Sequence, residues 1–236
     1  PPRSTLDRSS AASDVYKSLV FRHLEFCKQC LNPVWDVHLI STTDHWAQFA
    51  VAGPKSRKLL QEICDPKFDI SNDKFPFMAC GEINVLKGIP ARLFRISFSG
   101  ELAYEIAIPR RYADFFIKEI SEIGKKYNLV PYGTEALGVM RIEKGHAAGN
   151  ELNGQTTANN LGLGKMVSKL NDCIGNTMSE REELNKENAL KLVGFIPTNK
   201  NQSLVAGSHF IEKGQTENLE NDQGWMLSLI HISEPT

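Results

Sequence analysis

Cysteine is scarce and odd in number, with five among 236 residues. A disulfide scaffold uses paired cysteines in a short chain, so this count argues against one and for a reducing, cytoplasmic setting. Charge of one sign is lacking too. The 27 Lys and Arg face 28 Asp and Glu, a formal net charge of −1, so no basic face marks a DNA or RNA partner. Long apolar runs are missing. No stretch reaches the ~18 residues that a membrane helix needs, and no basic segment precedes a short apolar one as in a secretory signal. What is present is ordinary: 41% hydrophobic and 23% charged residues, the mixture of a folded globular chain. The length suits one large domain or two small ones.

The two ends read differently from the middle. Residues 1–12 are rich in Pro, Ser, Arg and Ala, with Leu6 as the one large apolar side chain. Such a segment buries no face, and a disordered or artefactual leader is expected. Residues 227–236, Leu-Ser-Leu-Ile-His-Ile-Ser-Glu-Pro-Thr, read like the in-frame translation of a sequencing-library adapter. They are expected to be an artefactual tail, and His231 to carry no function.

Between these ends, periodicity sets out the elements. Tyr16, Val20, Leu24, Cys27 and Leu31 form one apolar stripe and predict a helix over 13–31. Strands are expected at 36–41 and 46–51, and a helix from Gly53-Pro54 to about Cys64, since proline at the first helical position loses no hydrogen bond. Strand candidates follow at 81–86 and 91–98 around a turn at Lys87-Gly88, then at 102–108 after Ser99-Gly100-Glu101. Alternation puts Phe94 and Ile96 on one face, and Tyr104, Ile106 and Ile108 on a core face, with Arg95, Ser97 and Glu105 pointing away. A helix carrying Tyr112, Phe116, Ile120, Ile123 and Tyr127 comes next. Another spans 134–144 and ends at Gly145. Residues 147–164 read as an ordered Gly/Asn/Thr loop, 179–189 as a charged linker, and 190–196 and 203–212 as strands of a new unit. The expectation is an α+β domain over 13–178, the linker, and the truncated start of a β-barrel domain over 190–226.

Few residues show chemistry by pattern alone. Cys27-Lys-Gln-Cys30 has the CxxC spacing, but Cys64, Cys80 and Cys173 are isolated. A zinc site lacks its other ligands, and cysteines on an apolar stripe are core filler. Gly162-Leu-Gly164 lacks the strand and third glycine of a dinucleotide fingerprint. No histidines show ligand spacing. His146, beside Gly145, is either a cleft-lining group or a loop histidine. Glu105 stands mid-strand on the face away from the core, where a charge must be solvated, paired or bound. The pattern alone favours a salt bridge with Arg95 on the neighbouring strand.

The stretch Arg95-Ile-Ser-Phe-Ser-Gly-Glu-Leu-Ala-Tyr-Glu-Ile106 resembles the Arg-x-x-Tyr-x-Gly-Glu-x-Gly-Tyr-Glu-Ile segment of the aminomethyltransferase, or glycine-cleavage T-protein, superfamily. Phe49-Ala-Val-Ala-Gly-Pro54 is similar to its strand-Gly-Pro-helix, Ala136–Gly145 to its Leu-Arg-x-Glu-x-Gly helix, and Leu192-Val-Gly-Phe195 with Gly207 to the opening of its C-terminal barrel. Phe21–Phe26, Trp46–Pro54 and His146–Thr157 resemble the C-terminal half of heterotetrameric sarcosine oxidase alpha subunits.

That resemblance implies a folate-binding domain of an oxidoreductase complex with beta, gamma and delta subunits. Its tetrahydrofolate would take up the one-carbon unit of oxidised sarcosine as 5,10-methylenetetrahydrofolate. NAD and flavin would belong to parts of the complex outside this chain, and the chain alone is expected to be inactive. Glu105 matches the family's pterin-binding Glu. Phe98 stands for its turn Tyr, keeping a ring without the hydroxyl. Arg141, with Glu143, matches the Leu-Arg-x-Glu helix, as a structural pairing group or a ligand contact. Lys165 and Lys169 fall where a folate glutamate tail would lie. The family's second, catalytic Asp has no counterpart here, so no catalytic residue is assigned, and no metal is expected. The alternatives are a stand-alone aminomethyltransferase of glycine cleavage and a non-catalytic folate-binding module.

Overall fold

The structure is a computed structural model that describes residues 21–148, 151–152, 156–167, 174–186, 188–199, 204–205 and 207–227. The expected leader, and the expected tail apart from Leu227, lie outside the described residues. The chain divides into two compact units, Pro1–Ala47 and Gln48–Thr236.

In the first unit, residues 21–29 are helical (α1), within the span that the apolar stripe predicts. Residues 36–41, expected as a strand, have no regular structure. A strand must pair its N–H and C=O groups with a neighbour, and Ile40 lies exposed rather than packed on one. A short 3-10 turn, Thr43–His45, leads into β1, Trp46–Ala52.

The second unit is built on a four-stranded sheet in the order β1-β4-β3-β2, where β2 is Cys80–Val85, β3 is Ile89–Phe94 and β4 is Ala103–Pro109. β2 and β3 form the expected hairpin. Leu86 and Lys87 both have positive φ, 46° and 67°, the conformation that a tight turn matched to strand twist demands. Register then sets the faces. Leu93 lies opposite Ile106, and Phe94 opposite Glu105.

Helices cover one face of this sheet. After Gly53, α2 (Ser56–Ile63) buries Ser56, Leu59, Leu60 and Ile63, one stripe at helical spacing. The α3 helix (Ala113–Gly124) buries Phe116 and Ile120, and the Phe116 ring lies 5.1 Å from that of Phe49 on β1. Tyr104, Ile106 and Ile108 of β4 and Leu93 of β3 are fully enclosed. The next helix, α4 (Thr134–Lys144), has the predicted bounds. Gly145 at φ 78° ends it, with the His146 N–H donating to the Arg141 carbonyl and the Gly145 N–H to Ile142.

Further along, α5 is Ile174–Ser179. Residues 190–196, expected as a strand, form none, and Ile196 is 92% exposed. Residues 203–212 supply only β5, His209–Phe210, paired with β6, Gly224–Trp225. A two-residue ladder is all that these segments form among the described residues. Helix and sheet together make an α+β architecture.

Candidate functional site

Glu105 occupies the middle of β4, between two neighbouring strands. Strand alternation puts Tyr104 and Ile106 into the core and Glu105 on the opposite face with Ala103 and Ala107. Its side chain is half-buried and accepts a hydrogen bond from the Gln48 side-chain amide on β1. It forms no ion pair among the described residues.

The expected Arg95–Glu105 salt bridge is therefore corrected. Strand β3 stops at Phe94, and Phe94, not Arg95, lies opposite Glu105. The face assignment shifts with it: Leu93 takes the core side that the alternation gave to Phe94. One residue later the chain turns Arg95 toward the core. Its guanidinium sits 5.0 Å from the centre of the Tyr104 ring, and Nη1 donates to the Ala103 carbonyl at 3.2 Å. Arg95 Nε and Ser97 Oγ are buried with no hydrogen-bond partner among the described residues.

Phe98 stands on the turn between β3 and β4. Gly100 in that turn has φ +85°, and a Cβ there would fall 2.9 Å from the Lys144 side chain. The turn is thus seated on the last residue of α4, a fit that only glycine allows. This brings Phe98 to His146, with ring centroids 5.9 Å apart. The Phe98 ring remains 40% exposed. His146, left open between cleft and loop by the sequence, packs beside the Phe98 ring.

Arg141 points into the interior. Its Nη1 lies 3.0 Å from both carboxylate oxygens of Glu151 and donates to the His146 carbonyl at 3.1 Å. Glu151 also accepts from the Ala148 N–H at 2.9 Å. Glu143 is exposed and is not the partner in this pair. Lys165 lies in an exposed 3-10 turn, Gly164–Met166, and Lys169 is outside the described residues. Two groups escaped the sequence reading. Gln48 had one available signal, the alternation of polar or small Gln48 and Ala50 with apolar Phe49 and Val51. Glu151 had only its position in the His146–Thr157 block.

Elsewhere, polar clusters are locally satisfied. Glu62 on α2 accepts from Lys126 at 2.5 Å and from the Tyr127 hydroxyl at 2.8 Å. Hydrogen bonds from Lys126 and then Tyr127 hold the Glu62 carboxyl below its ordinary pKa, and Glu62 in turn raises both partners. Burial alone pushes the Cys64 thiol up to about 12. Cys27 Sγ lies 3.6 Å from His23 Nε2 one turn away. No cluster of His, Cys, Asp and Glu suited to a metal occurs among the described residues, and no helix there is long and apolar enough to cross a membrane.

Comparison with known proteins agrees with this architecture. The chain is 48% identical to sarcosine oxidase subunit alpha of Rhizobium meliloti (strain 1021) over 90% of its own length and 22% of that protein. It is 36% identical to the subunit of that name from Corynebacterium sp. (strain P-1), over 87% of this chain and 22% of the relative. It is 34% identical to an aminomethyltransferase of Thermoanaerobacter sp. (strain X514), over 69% of this chain and 43% of that one. The chain thus spans about a fifth of the length of the two alpha subunits. Residues 10–171 match the model of the GCVT N-terminal domain, and the chain belongs to that family.

Proposed function

We propose that this chain forms the folate-holding part of a sarcosine oxidase alpha subunit. There the one-carbon unit released by sarcosine oxidation passes to tetrahydrofolate as 5,10-methylenetetrahydrofolate. Glu105 carries this reading. A carboxylate fixed on a central strand, with a neutral amide as its hydrogen-bond partner and no ion pair among the described residues, keeps spare acceptor sites. A pterin offers two parallel donors, its N3–H and 2-amino group, which a carboxylate accepts in bidentate fashion.

The residues around Glu105 suit a flat, hydrogen-bonding ring. Ala103 and Ala107 flank the carboxylate on its own face with small side chains. The Phe98 ring, on the turn leading into β4, is open enough to stack on. Arg141 serves indirectly, by fastening the His146 backbone that stands beside Phe98. Bound tetrahydrofolate supplies the nitrogens that capture a one-carbon iminium. This chain's residues bind and orient it. Amine oxidation, with flavin and NAD, falls to other parts of a complex with beta, gamma and delta subunits. In the domain reading that accompanies this function, residues 13–178 are the folate domain and 190–226 open a β-barrel domain.

The test is direct titration of the 236-residue chain with 5-formyltetrahydrofolate by calorimetry. Saturable binding that Glu105→Gln abolishes or weakens is the expected result. Absence of binding by the folded chain overturns the proposal.

A further inference from the structure

We infer that Gln48 is the positioning residue of Glu105: its side-chain amide holds the carboxylate in one orientation without neutralising it. The inference rests on the folate reading and deepens it.

The strand pattern puts Gln48 in place. Along β1, Phe49 turns toward Phe116 and Val51 is buried, so Gln48 and Ala50 emerge on the other side. β1 lies directly beside β4, so this side is continuous with the face that carries Glu105. The contact itself is Gln48 Nε2 donating to Glu105 Oε2. Its direction follows from chemistry, because an ionised carboxylate only accepts and the amide nitrogen must face it.

The residue type matters as much as the place. A lysine or arginine here would pair with Glu105 and cancel the charge a ligand needs. An amide fixes the rotamer and leaves the charge intact. Glu105 Oε1 stays free of protein donors, and so does the Gln48 carbonyl oxygen, since neither is a partner in any other bond among the described residues. Two neighbouring acceptors of this kind suit a ligand edge with adjacent N–H donors, the pattern of a 2-amino-pyrimidinone. Preorganisation is the gain: a glutamate already held in its binding rotamer does not lose that freedom when the ligand arrives.

Four versions of the 236-residue chain test the inference: the parent, Gln48→Leu, Glu105→Gln and the double variant. Each is titrated with 5-formyltetrahydrofolate, and the Glu105 side-chain rotamer is followed by NMR scalar couplings in the ligand-free parent and Gln48→Leu chains. Gln48→Leu should weaken binding about 2- to 12-fold, the range for ordering one rotamer-rich side chain. It should have no further effect on Glu105→Gln, and it should average the Glu105 couplings. Equal losses in both backgrounds, or couplings unchanged by Gln48→Leu, overturn the inference as a merely structural effect. Full affinity in Gln48→Leu with a large loss in Glu105→Gln overturns it while the folate reading stands. Parent affinity in Glu105→Gln overturns both. Because Gln48 is exposed, its replacement should leave thermal unfolding unchanged, so an altered fold would be visible separately.

Discussion

Arg141 and Glu151 form a buried ion pair, one guanidinium nitrogen 3.0 Å from both carboxylate oxygens, with side chains 15% and 4% exposed. The pair clasps the last turn of α4 to the loop that follows it. Glu151 also takes the Ala148 N–H, and Arg141 also gives a hydrogen bond to the His146 carbonyl. Removing one partner strands a buried charge, which costs about 3–5 kcal/mol. Arg141→Met and Glu151→Gln should each lower stability by that order in denaturant titrations. An Arg141→Met/Glu151→Leu double variant should recover most of the loss, since apolar groups replace both charges. Additive losses would mean that the two side chains act independently.

Much of this layout could be read from residues alone, for reasons that differ by element. The α4 helix was legible to its bounds because its end is a local event: Gly145 adopts φ 78°, and few other residues do. The β2–β3 turn was legible for the same reason. The register at Phe94 was not. Both Leu93 and Phe94 are apolar, so alternation could be started on either, and the early end of β3 decided it. That one-residue difference moves Arg95 from beside Glu105 to the Tyr104 ring. Arg141 and Glu151 stand ten residues apart, one in the last turn of α4 and the other beyond its Gly145 end, where no periodicity links an ion to its partner. The strand expected over 190–196 rested on propensity, which yields a strand only where a neighbour pairs with it.

Phe116 has the clearest packing role. Its ring is fully enclosed and meets Phe49 of β1, so α3 is pinned to the sheet largely through it. Phe116→Ala should cost about 3–5 kcal/mol. Phe115, on the exposed side of the same helix turn, should tolerate alanine within about 0.5 kcal/mol. Chemical denaturation of the two variants checks the contrast, and similar losses would show that α3 is not anchored by this face.

Thiol chemistry should separate the described cysteines. Cys64 is 5% exposed, and burial lifts its pKa to about 12, whereas Cys30 and Cys80 are exposed. The thiolate is the reactive form, so Cys64 should resist iodoacetamide at pH 8 in the folded chain and react on unfolding. Mass spectrometry of peptides after timed labelling reads this directly. Labelling of Cys64 as fast as Cys30 in the folded chain would contradict its enclosure.

The Glu62 cluster predicts a pH window. Lys126 and Tyr127 hold the Glu62 carboxyl below its ordinary value, so its contribution is present above the ordinary carboxylate range and lost as pH falls through the lowered value. Lys126 is raised, so its part is present below the ordinary ammonium range and lost as pH rises through the raised value. Glu62→Gln should therefore lower the melting temperature slightly near neutral pH, with the difference from the parent closing in strong acid. The effect should shrink in high salt, because the pair is solvent-exposed. A difference that grows toward acid would reverse the sign argued here.

Glu105 and Glu101 make the decisive comparison for function. Both are carboxylates of one motif, four residues apart, but Glu101 lies in the turn that joins β3 to β4 and only Glu105 lies on the strand. Glu101 is exposed and its backbone N–H is tied to Ser99 Oγ at 3.4 Å. Hydrogen bonds to a charged group contribute about 1.5–3 kcal/mol, equivalent to roughly 10- to 150-fold in affinity. Glu105→Gln keeps the size of the side chain but turns a donor toward the donors of the pterin, so 5-formyltetrahydrofolate should bind at least that much more weakly. Glu101→Gln should bind like the parent. Calorimetric titration of both variants, each first shown to unfold at the parent's temperature, decides the matter. Equal, parent-like affinities would leave Glu105 as no more than the partner of Gln48.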